Sequence, residues 1–235
     1  MEELRIHKFL ADAGIMSRRA AEEAVKRGEV KVNGETAELG MKIDPESDKV
    51  QYKGNTVTLN KKRHDYIILH KPVGYVTTMS DEKGRKTVKD LVSDIGVRVY
   101  PVGRLDLNSE GLLIMTNDGE MANSLMHPAY EKNKKYIVVV DGDIKNIYKL
   151  SESMDIDGYV ISPATVNVVS NNGSISTLEI TIHEGRNRQI RKMCDIAGFS
   201  VKSLKRVSVG KLELGDLPKG KWRYLTEKEV ELLKE

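Results

Sequence analysis

The sequence predicts a mixed α/β (α+β) fold in two parts, a small N-terminal module and a larger domain after it. Three observations lead there. Strand-length apolar runs such as Tyr66–His70, Leu112–Met115 and Tyr136–Val140 recur between turn-forming clusters over residues 65–235. Stretches with helix caps are interleaved with them. Within residues 1–60, two short helical stretches precede a hairpin signal at Asn33-Gly34. A chain of 235 residues, 39% hydrophobic and 31% charged, suits one medium globular domain with a small one.

In the N-terminal module, Leu4, Phe9 and Leu10, with Ala11 and Ala13 nearby, suit a short amphipathic helix ending at Gly14. Ser17 is a good N-cap for a second helix over Arg18–Arg27, and Gly28 stops it. That helix has Ala20, Ala21, Ala24 and Val25 as its apolar stripe, while Arg18, Arg19 and Glu22 lie near one another at its start. Val30 and Val32 then alternate with Glu29 and Lys31 up to Asn33-Gly34, a type I′ signal. Met41, Ile43, Val50 and Tyr52 continue as short strands, with turns at Asp44-Pro45 and Gly54-Asn55. Residues 55–64, ending Lys61-Lys62-Arg63-His64, read as a linker, which sets the domains at 1–60 and 65–235.

Beyond the linker, strand Tyr66–His70 runs into a turn at Lys71-Pro72-Val73-Gly74. Thr87 caps a helix with Val88, Leu91, Val92 and Ile95 on one face, stopped by Gly96. Strand-like Val99–Val102 leads into Gly103-Arg104-Leu105-Asp106. Asn108-Ser109-Glu110-Gly111 leads out to Leu112–Met115, which the turn Thr116-Asn117-Asp118-Gly119 closes. Asp118–His127 suits a helix ended by Pro128. Tyr136–Val140, Val160–Val169 and Ser174–His183 read as strands. A helix over Arg188–Ala197 would bury Ile190, Met193, Cys194 and Ala197 and cluster Arg188, Arg191 and Lys192 on another face. Trp222 reads as structural. Thr226 and Glu229 form a capping box for a last helix that packs Val230, Leu232 and Leu233 inward.

Charge is uneven. The net is +3, yet residues 1–60 carry ten Lys/Arg against eleven Asp/Glu, and residues 183–223 carry eleven against four. A local excess of that size points to a polyanionic partner or to a solvated basic face. No apolar run approaches the roughly 18 residues that span a bilayer, and MEELRIHKFL lacks the apolar centre of a signal peptide. No membrane association is expected. The single cysteine, Cys194, excludes an internal disulfide and suits a reducing cytoplasm. The scattered histidines give no metal-ligand spacing. Neither G-x-G-x-x-G nor a P-loop occurs, so no metal and no cofactor are expected.

One string carries the chemistry. A carboxylate in a glycine-flanked loop between two apolar runs can face a cleft while its neighbours anchor the core. A lone loop aspartate is otherwise more often a turn or cap residue. The seventeen residues GRLDLNSEGLLIMTNDG closely resemble the signature of the RsuA/RluB-type pseudouridine synthases. The resemblance implies that Asp106 is the catalytic nucleophile toward a uridine in ribosomal RNA. Lys135-Tyr136 matches the family's tyrosine, which makes Tyr136 the side chain expected against the uracil; it offers both a π-face and a phenolic donor and acceptor. Glu184-Gly185-Arg186-Asn187-Arg188-Gln189-Ile190-Arg191 matches the family's EGRxRQIR motif, which implies a salt bridge from Arg191 to Asp106. A guanidinium there would keep the carboxylate ionised in a cleft that would otherwise raise its pKa. Arg186, Arg188 and Lys192 are left to contact RNA, and Arg104 to fill the space an extruded base vacates. His70-Lys71-Pro72-Val73-Gly74 and Pro218–Thr226 also look like the family, so the resemblance spans the chain.

The N-terminal module resembles the alpha-L RNA-binding motif of ribosomal small-subunit protein four. Arg5-Ile6-His7-Lys8, Gly14–Ala20 and Gly28–Gly34 carry that likeness. It implies phosphate contacts from Arg5, Lys8, Arg18, Arg19 and Lys31.

The family resemblance further implies a pseudouridine synthase fold, with a mainly antiparallel central sheet crossed by a catalytic cleft. The reaction implied is isomerisation of uridine to pseudouridine on an extruded base, without redox change or energy input. The expected partner is ribosomal RNA, free or in ribosome assembly intermediates, and the expected state is a monomer. Large-subunit RNA is the expected target and small-subunit RNA the runner-up. A non-catalytic RNA-binding assembly factor is a rival reading, but its mark would be loss of Asp106, Tyr136 or Arg191. A methyltransferase would need a glycine-rich cofactor loop.

Overall fold

The structure is a computed structural model, and it describes residues 3–59, 64–127 and 132–234. The chain divides into two compact units, Met1–His64 and Asp65–Glu235.

The first unit holds β1 (Leu4–Arg5), α1 (Ile6–Asp12), α2 (Arg18–Lys26), β2 (Val30–Val32), β3 (Glu35–Thr36), β4 (Lys42–Ile43), β5 (Val50–Tyr52) and β6 (Asn55–Val57). Ser17 caps α2 as expected, its Oγ accepting the Ala20 N–H at 3.1 Å. Asn33 and Gly34 take φ of 52° and 91°, the left-handed pair that a type I′ turn requires. The strands order β3-β2-β5-β6, while β1 pairs β4 in a separate ribbon. Ile6, Phe9, Leu10, Ala21, Ala24, Val25, Val30, Val32, Ile43 and Val50 fill the core. Ala20 is exposed rather than part of the stripe. At 3.6 residues per turn it sits about 90° from the centre of the Ala21–Ala24–Val25 arc. The linker reading fails at its start: Lys53 and Gly54 make the turn, with φ of 49° and 82°, and residues 55–57 return as β6 with Val57 buried. Its basic end, Lys61-Lys62-Arg63, lies outside the described residues.

The second unit holds β7 (Tyr66–Lys71), a 3-10 helix (Val88–Val92), β8 (Tyr100–Pro101), β9 (Glu110–Thr116), α3 (Gly119–Met126) and β10 (Lys134–Asp141). There follow a 3-10 helix (Ile144–Ser151), β11 (Met154–Ile156), β12 (Tyr159–Ile161), β13 (Thr165–Asn172), β14 (Ile175–Ile182), α4 (Gln189–Ala197), β15 (Ser200–Val209), β16 (Leu212–Glu213), β17 (Trp222–Tyr224) and α5 (Glu227–Lys234). The main sheet runs β13-β14-β10-β15-β9-β7-β17, with β16 on β15 and β8 on β9. Every pairing is antiparallel except β15 with β9, so the expected mainly antiparallel sheet is present. Alternation along β7 and β9 feeds two cores: Ile67, Leu69, Leu113 and Met115 on one face, Ile68, Leu112 and Ile114 on the other.

Several elements depart from expectation. Thr87 and Asp90 form a capping box, but it opens a 3-10 helix. Val160–Val169 is not one strand: Ser162-Pro163-Ala164 separates β12 from β13, and Pro163 has no N–H for a ladder. The ten-residue β15 was hidden, because its polar alternation SVKSLKRVSV reads as part of the basic stretch. Asp118 caps α3, accepting from Glu120 and Met121 N–H, while the proposed stop at Pro128 lies outside the described residues.

Candidate active site

The one parallel joint among the described strands of the main sheet sets the site. β15 meets β9 at only two register positions, Lys205 with Glu110 and Arg206 with Gly111. Gly111 has φ of 115°, and a Cβ there would stand 2.1 Å from the Arg206 carbonyl oxygen, so only glycine allows the approach. Next to this joint lies a cavity of about 460 Å³. The loop before β9 brings Arg104, Leu105 and Asp106 to it, β10 brings Tyr136, the loop before α4 brings Arg186 and Arg188, and β15 brings Arg206.

The loop carrying Asp106 is held through its backbone. Lys71 is fully buried at the end of β7, and its Nζ donates to the carbonyls of Pro72, Asp106 and Ser109 at 3.1, 3.0 and 2.8 Å. Three acceptors match the three donors of an ammonium. Burial drives the Lys71 pKa down to about 8, against the opposing pull of the Asp106 and Glu110 charges. Thr77 Oγ1 donates to the Leu105 carbonyl at 2.6 Å and accepts its N–H at 3.2 Å. Gly74 N–H bonds the Leu107 carbonyl, and Ser109 N–H the Asp106 carbonyl. Against this fixed frame the Asp106 carboxylate is half-buried and makes no hydrogen bond or ion pair among the described residues. The usual work of a loop aspartate, capping its own turn, is not done by this one.

The cavity is electropositive. Among the described residues, Arg104, Lys134, Arg186, Arg188 and Arg206 line it against the single carboxylate of Asp106. Such a wall concentrates anions. Arg206 is buried, its Nε donating to the Leu112 carbonyl at 2.8 Å. Tyr136 is also buried, between Ile180 on β14 and Arg206 on β15, with its side chain on the cavity wall.

One expectation needs correction. The Arg191 guanidinium donates from Nη2 to the Asn108 carbonyl at 2.7 Å, and no ion pair within 4 Å joins it to Asp106. Asn108, two residues further along the same loop, takes the donor instead. Burial and the Arg188 charge lower the Arg191 pKa, and the charge of Asp106 acts the other way. Lys192 does not line the cavity; it pairs with Asp157 at the tip of the β11–β12 turn. The helix expected over 188–197 begins at Gln189, with Arg188 as its N-cap in the left-handed region at φ 53°.

In the first unit, Arg5, Arg18, Arg19 and Lys31 are exposed, and Lys8 is half-buried on α1. Arg18 and Arg19 occupy the first turn of α2, and Lys31 points away from the face on which Val30 and Val32 are buried. Sequence reading missed Lys71 and Arg206. The signal for Lys71 was a lysine closing the otherwise apolar strand YIILHK; Arg206 lay in the unrecognised strand.

Residues 65–195 match the family model described as RNA pseudouridylate synthase, and residues 4–50 match the S4 domain. An uncharacterized RNA pseudouridine synthase of Aquifex aeolicus (strain VF5) is 44% identical over 98% of this chain and 93% of its own length. The ribosomal large subunit pseudouridine synthase B of Bacillus subtilis (strain 168) is 41% identical over 98% of this chain and 95% of its own. A crystal structure of a pseudouridylate synthase superposes with a TM-score of 0.70 at 28% identity, covering 98% of this chain and 99% of that one.

Proposed function

The chain belongs to the RNA pseudouridylate synthase family of isomerases, and from that premise we propose that it converts one uridine of large-subunit ribosomal RNA to pseudouridine. One observation carries the site assignment: Asp106 presents an unengaged carboxylate to a cation-lined cavity while its backbone is held at several points. A nucleophile needs a free lone pair and a fixed trajectory, and this arrangement supplies both.

Asp106 acts as the nucleophile on the target nucleotide, which leaves its stack to enter the cavity. The N-glycosidic bond breaks, the uracil turns, and C5 takes the place of N1 on the ribose carbon as the Asp106 carboxylate is set free again; C5 loses its proton and N1 gains one, so the product is an isomer of the substrate. Tyr136, a lining residue of the same cavity, packs on the base. Arg191 fixes the loop through the Asn108 carbonyl, which is a positioning role. Arg104 fills the space that the extruded base vacates, Arg188 meets the RNA backbone, and Arg186 also stands at the RNA-facing wall. Arg5, Lys8, Arg18, Arg19 and Lys31 of the first unit add phosphate contacts and hence affinity. Lys192 is a further RNA contact in this scheme, its ammonium also paired with Asp157. The large-subunit target is supported by the relative of Bacillus subtilis that bears that name.

Pseudouridine mapping on unmodified ribosomal RNA fragments tests this, with the intact chain and with Asp106→Asn side by side. One modified uridine in large-subunit RNA, seen only with the intact chain, is the expected result. Modification of small-subunit RNA would overturn the target, and isomerisation by Asp106→Asn would overturn the nucleophile.

A further inference from the structure

We infer that Tyr159 and Arg186 form a stacking platform at the cavity that receives an unpaired nucleobase next to the target uridine; this rests on the proposed reaction. The Arg186 guanidinium carbon lies over the Tyr159 ring, 2.9 Å from its centroid. Arg186 lines the cavity, and Tyr159 sits beside it on a hairpin that forms no part of the main sheet.

The platform is rigid by construction. Asp157 and Gly158, at φ 55° and 79°, make a two-residue left-handed turn, and Asp155 Oδ1 accepts the Gly158 N–H at 2.8 Å. Met154, Ile156 and Ile161 anchor the hairpin in the core. The Lys192–Asp157 pair ties its tip to α4. At its far end the Ser162 N–H donates to Glu184 Oε1 at 3.0 Å, and Glu184 Oε2 stands 3.5 Å from Arg186 Nε. The Arg186 N–H in turn donates to Gln189 Oε1 at 3.0 Å. Hairpin and arginine loop are thus cross-linked on both sides of the stacked pair.

This wiring favours a base over a phosphate as the ligand of Arg186. The Tyr159 ring backs the guanidinium, and the nearly buried Glu184 carboxylate offsets its charge at Nε. The side chain nevertheless remains 43% exposed. What it offers outward is a flat, backed π-surface, the kind of plane on which unstacked RNA bases settle. A tyrosine left 43% exposed beneath a charge-compensated arginine makes sense as the support of such a plane. Tyr159 is a positioning residue in this scheme, acting through Arg186.

The test uses Tyr159→Leu and Tyr159→Phe in the full chain, assayed on the ribosomal RNA fragment that is modified. Nucleotides on either side of the target are kept or replaced one at a time by abasic ribose. Tyr159→Leu should raise KM and Kd about tenfold, the scale of one lost base stack, with kcat within about twofold. Tyr159→Phe should behave as the parent. One abasic RNA should impose the same penalty on the parent and erase its difference from Tyr159→Leu. Equal KM and Kd for Tyr159→Leu and the parent, or a penalty that survives on every abasic RNA, would overturn the platform. Kd is read without turnover, so a parent that binds RNA but isomerises nothing would defeat the proposed reaction alone. The Kd ratios on the tightest-bound fragment, with abasic sites moved along its loop, would then decide the platform.

Discussion

The ammonium of Lys71 donates to the main-chain carbonyl of Asp106 at 3.0 Å, so a buried cation on β7 holds the backbone of the residue whose carboxylate faces the cavity. It binds the Pro72 and Ser109 carbonyls as well, and thereby ties the Asp106 loop to the turn that follows β7.

Burial lowers the Lys71 pKa to about 8, below the ordinary lysine value near 10.5. Between those two pH values the unfolded chain keeps this proton and the folded chain releases it. Stability therefore gains from this group as pH rises through the window, by up to about 3 kcal/mol. Lys71→Met removes the titration but strands three carbonyls, at a cost of about 2–4 kcal/mol at pH 7. Urea unfolding of both proteins from pH 7 to 10.5 checks this: the stability difference, parent minus variant, should widen with pH. A flat difference would refute the linkage.

Gly111→Ala places a methyl group 2.1 Å from the Arg206 carbonyl oxygen, at a φ of 115° that L-residues avoid. The two backbones must separate at the parallel joint. A loss of at least about 3 kcal/mol is expected, read as a large drop in Tm, and any folded fraction should have lost activity.

Arg191→Lys keeps the charge but loses the planar fork that reaches the Asn108 carbonyl. The expectation is a fall of about tenfold in kcat, the scale of a small misplacement of reacting groups, with RNA affinity within about twofold. An equal loss in affinity would mean that Arg191 meets RNA directly. Single-turnover rates and filter binding separate the two.

Removing residues 1–60 takes away Arg5, Lys8, Arg18, Arg19 and Lys31 together. RNA Kd should rise by at least about tenfold and its dependence on salt should flatten, as phosphate contacts are lost. The single-turnover rate at saturating protein should hold within about threefold. An unchanged Kd would remove the first unit from RNA binding.

What the sequence could disclose was local. Ser17, Asn33-Gly34 and the Thr226–Glu229 box act within a few residues of themselves, and each forms as read. Asp106 and Tyr136 stood out because the strings around them are distinctive, and both do line one cavity. Lys71 escaped notice because its acceptors at Asp106 and Ser109 lie 35 and 38 residues away, and only folding turns a strand-end lysine into a loop clamp. The partners of Arg191 and Lys192 were equally out of reach. Helical spacing told which face they share, but the Asn108 carbonyl and Asp157 come from other parts of the chain. Pro163 was the visible cue that strands β12 and β13 are separate, and the apolar residues around it masked it.

The joint of β9 with β15 also has a consequence for how the protein is made. Only two register positions unite the sheet there, and the strands on one side of it, β10 and β13 to β16, come from one contiguous stretch of chain. The other side is not contiguous: β7 and β9 pair early, yet β7 must wait for β17, with Trp222 opposite Leu69. Leu233 of α5 completes the core over Ile68 and Leu112. During synthesis on the ribosome, the apolar face of β7 and β9 thus stays incompletely covered until residues 222–234 have left the exit tunnel. A nascent chain stalled before that point would hold every cavity-lining residue and still lack the strand and helix that close the sheet behind them, leaving a target for chaperones rather than a working enzyme.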